Sequence, residues 1–161
     1  MNRKQPINFK FEKLAESCRK EIAELGALLK LIYEQQNCLV KYNPVSLLHA
    51  TSKIEAQLPV NQLATADRVA FMQQLAEEMS QESIQLNELP KIVPLELKTL
   101  FEALVDEIIS LRLRIKNKTN IQQKLLGQTQ MINNSIIQKI IPNDKFYNEH
   151  KHSLYTLTEF S

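Results

Sequence analysis

Residues Pro94 to Ile141 read PLELKTLFEALVDEIISLRLRIKNKTNIQQKLLGQTQMINNSIIQKII, forty-eight residues with one glycine and no internal proline. Leu97, Phe101, Leu104, Ile108, Leu111 and Ile115 alternate four and three apart, the seam of a helix packed in an antiparallel bundle. The seam turns polar from Lys116 to Lys124 and becomes apolar again from Leu125 to Ile141. As one helix at about 1.5 Å per residue, the run would be about 70 Å long. That exceeds what a small domain needs, so its far end is expected to lack a partner within the chain. Leu125, Leu126, Met131, Ile132, Ile136, Ile137 and Ile140 would give that end a contiguous apolar face. Exposed surface of this kind marks an interaction site. Asn and Gln at positions 117, 120, 122, 123, 128, 130, 133, 134 and 138 would keep such a helix soluble on its own. The competing reading packs Leu125 to Ile141 against the N-terminal part of the first helix.

Punctuation upstream divides the rest. Phe11, Leu14, Cys18, Ile22, Leu25, Leu29, Ile32 and Leu39 recur at helical spacing and predict helix one over about 8–41. Lys41-Tyr42-Asn43-Pro44 is the clearest break. Asn43 can cap the next helix through its side-chain oxygen, and Pro44 suits a first helical position. A short helix two is expected over 44–57, ended by Pro59. Helix three is expected over 61–86, followed by a two-proline connector and helix four over 94–141. Pro142-Asn143-Asp144 stops helix four, and 142–161 reads as a loosely ordered tail. The fold class expected is all-α: an elongated antiparallel helical bundle of three to four helices with a long C-terminal helix, in a single domain spanning 1–161.

Composition agrees. Among 161 residues there are two glycines, Gly26 and Gly127, and no tryptophan. Strand-rich folds need many tight turns and hence more glycine. Hydrophobic residues at 43% and charged residues at 24% fall in the range of a soluble globular domain. A net charge of +2 offers little attraction to nucleic acid. The basic group Arg112, Arg114, Lys116 and Lys118 is spread around its helix and reads as a solvated face. Cys18 and Cys38, twenty residues apart on one helix, lie about 30 Å apart, beyond disulfide reach, and read as reduced packing residues. No apolar run approaches the roughly 20 residues that span a bilayer, and no signal peptide is visible. The expected location is cytoplasmic, without membrane insertion.

Chemistry-bearing constellations are missing from the sequence. It has no glycine-rich phosphate loop and no nucleophile elbow. His150 and His152 lie in the tail without spaced metal-ligand partners. His49 stands four residues before Lys53, where a phosphotransfer histidine would have Lys three residues on and then Gly; here Ile54 takes the place of the Gly. The expectation is a non-enzyme with no cofactor and no metal.

Several segments together carry a family resemblance. Glu24 to Leu39 (ELGALLKLIYEQQNCL) gives a Leu and Glu pattern in a long first helix. Asn43 to Leu47 forms a short turn with a Leu, Lys53-Ile54-Glu55 follows, and Arg68 opens a third helix. Asn117 and Asn120 precede the pair Leu125-Leu126 in the last. This layout, over about Leu14 to Ile141, resembles the FlgN-type flagellar type III export chaperones. The resemblance implies a small α-helical cytoplasmic protein without ATPase activity. It would bind C-terminal helical segments of hook-filament junction proteins, prevent their premature assembly, and deliver them to the export apparatus. The family's client-binding region corresponds to Leu125 to Ile141. The alternative function is a structural or adaptor protein that pairs with a second copy through its long helix.

Overall fold

The computed structural model describes residues 7–41, 43–125 and 137–140. Among the described residues there is no strand. Helix α1 spans Ile7–Val40, α2 spans Pro44–Glu78, α3 spans Leu89–Ile92 and α4 spans Leu95–Leu125. A one-turn 3₁₀ helix, Leu86–Glu88, leads into α3.

α1 forms because its apolar residues recur every three or four positions. Phe11, Leu14, Cys18, Leu25, Leu29 and Ile32 are all buried. The break after α1 is the one its sequence announces. The Asn43 side-chain oxygen accepts from the Ser46 amide at 3.1 Å, and Pro44 occupies the first turn of α2.

α2 differs from the expectation. It is one helix of 35 residues with Pro59 inside it, not two helices separated at that proline. Proline in a helix interior loses a backbone hydrogen bond and costs about 3 kcal/mol or more. Packing on both sides of Pro59 opposes that cost: Ala50, Ile54 and Leu58 are buried before it, and Ala64, Met72 and Ala76 after it. Side chains also bridge the site. The Gln57 amide donates to the Asn61 oxygen at 3.0 Å and to Glu24 of α1 at 2.7 Å.

α2 also ends earlier than expected, at Glu78 and not near Leu86. The Ser80 amide donates to the Glu77 carbonyl at 3.2 Å and the Gln81 amide to the Ala76 carbonyl at 2.9 Å. That is the reciprocal closure of a helix C-terminus, and it places Ser80 at φ 56°. A serine there lacks the glycine signature that marks such an end in sequence. The connector then buries Ile84, Leu86, Leu89 and Val93.

Directions follow from cross-helix contacts. Lys10 meets Glu78, Glu21 meets Thr65, and Gln35 meets Thr51, so α2 runs antiparallel to α1. Phe11 packs edge-on against Phe101 at 6.3 Å, Arg112 bonds Glu21, and Gln122 bonds the Ile32 carbonyl. Residue numbers rise together in these three contacts, so α4 runs parallel to α1. This corrects the antiparallel expectation for helix four over Leu95–Leu125. The reason is the continuity of α2: with Pro59 bridged, three long helices alternate in direction, and the third points the way of the first.

Candidate functional site

A polar column lies inside the core along α1. Glu21, 1% exposed, is its centre. One carboxylate oxygen accepts from Arg112 Nη2 at 2.6 Å and from the Thr65 hydroxyl at 3.0 Å; the other accepts from Arg68 Nε at 2.5 Å. Arg68 and Arg112, 1% and 2% exposed, come from α2 and α4. One carboxylate thus ties all three long helices together. Charges taken out of water are tolerated when paired and hydrogen-bonded in this way. Toward the C-terminal end of α1, Gln35 donates to the buried Thr51 at 2.9 Å, and Gln122 donates to the Ile32 carbonyl at 2.9 Å.

Sequence reading missed this column. Arg112 was expected on a solvated face, and it is buried. The signal was present: Glu21 stands between Cys18 and Leu25, Arg68 between Thr65 and Met72, and Arg112 four residues after Ile108. Each charge falls on the buried stripe of its helix. A search that counts only apolar residues passes over them, and takes Ile22, which is half-buried, in place of Glu21.

Thr119 and Gln122, 0% and 1% exposed, show that the polar segment of α4 is packed against α1 rather than standing apart from the core. Thr119 turns its hydroxyl back to the Ile115 carbonyl at 3.0 Å, which satisfies it inside the helix. Lys118 lies over the Tyr33 ring at 4.8 Å.

The expected partner-binding residues divide into three groups. Leu125 closes α4. Leu126, Met131, Ile132 and Ile136 lie outside the described residues, as does the tail expected over 142–161. Ile137 is half-buried, and Ile140 is 2% exposed and belongs to the hydrophobic core. Position 140 is therefore covered by the chain itself, contrary to an open face there.

Elsewhere, Cys18 and Cys38 are free, and burial pushes the Cys18 thiol from 9.0 up to about 12, the nearby Arg68 charge offsetting part of that rise. His49 is exposed; His150 and His152 lie outside the described residues. A cleft of about 360 Å³ opens between the start of α1 and the end of α2, over Phe11, Phe71 and Leu75, with the Lys10–Glu78 ion pair at its rim. No group of three or more potential metal ligands occurs among the described residues. No described helix is long and apolar enough to cross a membrane. No family model matches the chain, and no curated protein or solved structure is significantly similar to it.

Proposed function

We propose that this chain is an interaction protein of the FlgN type, an elongated helical bundle that acts as a cytoplasmic export chaperone. It would hold the C-terminal amphipathic helix of a hook-filament junction protein and hand it to the type III export apparatus. The observation that supports this reading is the parallel register of α1 and α4. Gln122 stands level with Ile32, and α1 continues only eight residues further, to Val40. The apolar sequence continues nineteen residues past Gln122, to Ile141. As one continuous helix that length would outrun α1, and in this reading an amphipathic client helix supplies what is missing. Ile140 serves in this reading as the anchor of the segment, and Leu125, Leu126, Met131, Ile132 and Ile136 as its grip.

The test is a pair of variants. Ile132→Asp with Ile136→Asp abolishes binding of a junction-protein C-terminal peptide and leaves the thermal midpoint within about 2 °C, whereas Ile140→Asp lowers the midpoint by several degrees. A large loss of stability in the 132/136 double variant would show those residues to be core and would defeat the reading.

A further inference from the structure

α2 and α4 each lie along α1 but not along one another. Their Cα traces come within 8 Å of each other at isolated points at most, whereas directly packed helices stand about 8–10 Å apart, axis to axis. Arg68 and Arg112 reach Glu21 from the two sides of that gap. The three long helices thus take three corners of a four-cornered bundle, with α2 and α4 on the diagonal. The fourth corner lies between α2 and α4, opposite α1.

An empty corner would leave the inner residues of the other three helices open to water. They are not open: Leu25, Leu28 and Ile32 of α1, Ile54 of α2, and Ile115 and Thr119 of α4 are 0–1% exposed. Two described stretches are available to fill the corner. One is the connector, which buries Ile84, Leu86, Leu89 and Val93 and packs α3 on α4. It leaves α2 and enters α4 at the end of the bundle where Lys10 meets Glu78 and Phe11 meets Phe101. The opposite end, where Gln122 bonds Ile32, lies about 32 Å away along α1. That leaves the turn at residues 137–140. Ile137 is half-buried, Gln138 and Lys139 are exposed, and Ile140 is 2% exposed and part of the core.

Continued straight from Gln122, α4 would carry position 140 about 27 Å beyond the level of Ile32, where α1 has only about 12 Å left before Val40. α2 begins at that same end, at Pro44. No described element could bury Ile140 so far out. We infer that the turn at 137–140 is seated in the fourth corner, between α2 and α4 at the Gln35 end of the bundle. This half of the corner is then a docking trough for an amphipathic helix, and the free chain fills it with its own Ile137 and Ile140.

The partner that fits is a helix with aliphatic side chains three and four residues apart. Ile137 and Ile140 show the spacing, and the aliphatic residues around the corner set the chemistry. From the level of Leu25 to that of Gln35 the trough is about 15 Å long, and a four-residue turn is about 6 Å long. A client helix of three turns would therefore cover more of the trough than the turn it displaces. Binding becomes a competition, and the apparent affinity falls by the fraction of chains in which the turn is unseated. The identity of that helix rests on the chaperone reading; the seat of Ile140 does not.

Two measurements on the full chain test it. Spin labels are placed at Gln62→Cys and Lys139→Cys, both exposed positions, in a Cys38→Ser chain; Cys18 is fully buried and stays unlabelled. A straight continuation of α4 would hold the labels about 40 Å apart, and the seat brings them below about 30 Å. A longer distance in the free chain overturns the seat. Saturation with the C-terminal peptide of a hook-filament junction protein should lengthen the distance; an unchanged distance at saturation overturns the trough as the client's place. In the second measurement, Ile137→Ala with Ile140→Ala should tighten peptide binding at least about threefold, because the competitor is weakened. Unchanged or weaker binding overturns the competition. If no peptide binds to any variant, the chaperone reading fails and takes the trough's client with it, while a short label distance still establishes the seat, so the two failures are separate results.

Discussion

Glu21 is the residue on which the three long helices agree. Its two oxygens take hydrogen bonds from Arg68, Arg112 and Thr65, on two different helices, inside the core. Apolar packing tolerates sliding by one helical turn; a carboxylate that must reach two guanidinium groups does not. Glu21 therefore fixes the register in which α2 and α4 lie on α1, a role best attested for single buried polar groups. Removing it leaves two buried cations without this partner. Glu21→Ala is expected to cost about 3–5 kcal/mol in urea unfolding, far more than truncation of an exposed glutamate such as Glu16. A loss under about 1 kcal/mol would show the column to be dispensable. Little of this residue's role could be read from sequence. Its position between Cys18 and Leu25 placed it on the apolar stripe, but periodicity cannot tell a buried charge from one at the edge of the stripe until the opposing arginines are known.

At the scale of elements, the start of α2 was legible and its interior and end were not. Asn43 and Pro44 act locally, one through a side-chain bond to an amide three residues on and one through its fixed backbone angle, so sequence alone suffices. Pro59 also acts locally, as a breaker, but its effect is overridden by the ten buried residues that hold α2 on its neighbours. The end at Glu78 depends on Ser80 adopting a left-handed conformation, which a serine does not advertise. If α2 is continuous and Pro59 is a tolerated defect, Pro59→Ala restores one backbone hydrogen bond and should raise stability by about 1–3 kcal/mol, with far-UV helical signal nearly unchanged. A marked gain in helical signal would mean that α2 was interrupted there.

For the whole molecule, the all-α class was legible from two glycines and long three-and-four spacing, because those are properties of the chain itself. The direction of α4 was not, because it depends on how many long helices precede it. Two helices before it make it parallel to α1; the break expected at Pro59 would have made three. That direction moves the functional bet. At Gln122 α4 is level with Ile32 and runs toward Val40, where α1 ends, while the apolar sequence goes on to Ile141. The partner-binding role proposed for Leu125 to Ile137 rests on that register more than on hydrophobicity, and Ile140, buried in the core, is held by the chain itself. Amide hydrogen exchange, followed along the full chain with and without the C-terminal peptide of a hook-filament junction protein, tests the central claim most directly. The account predicts that the peptide slows exchange by at least about tenfold across residues 125–137 and leaves α2 unchanged. Protection confined to other helices, or none at peptide concentrations well above micromolar, would contradict it.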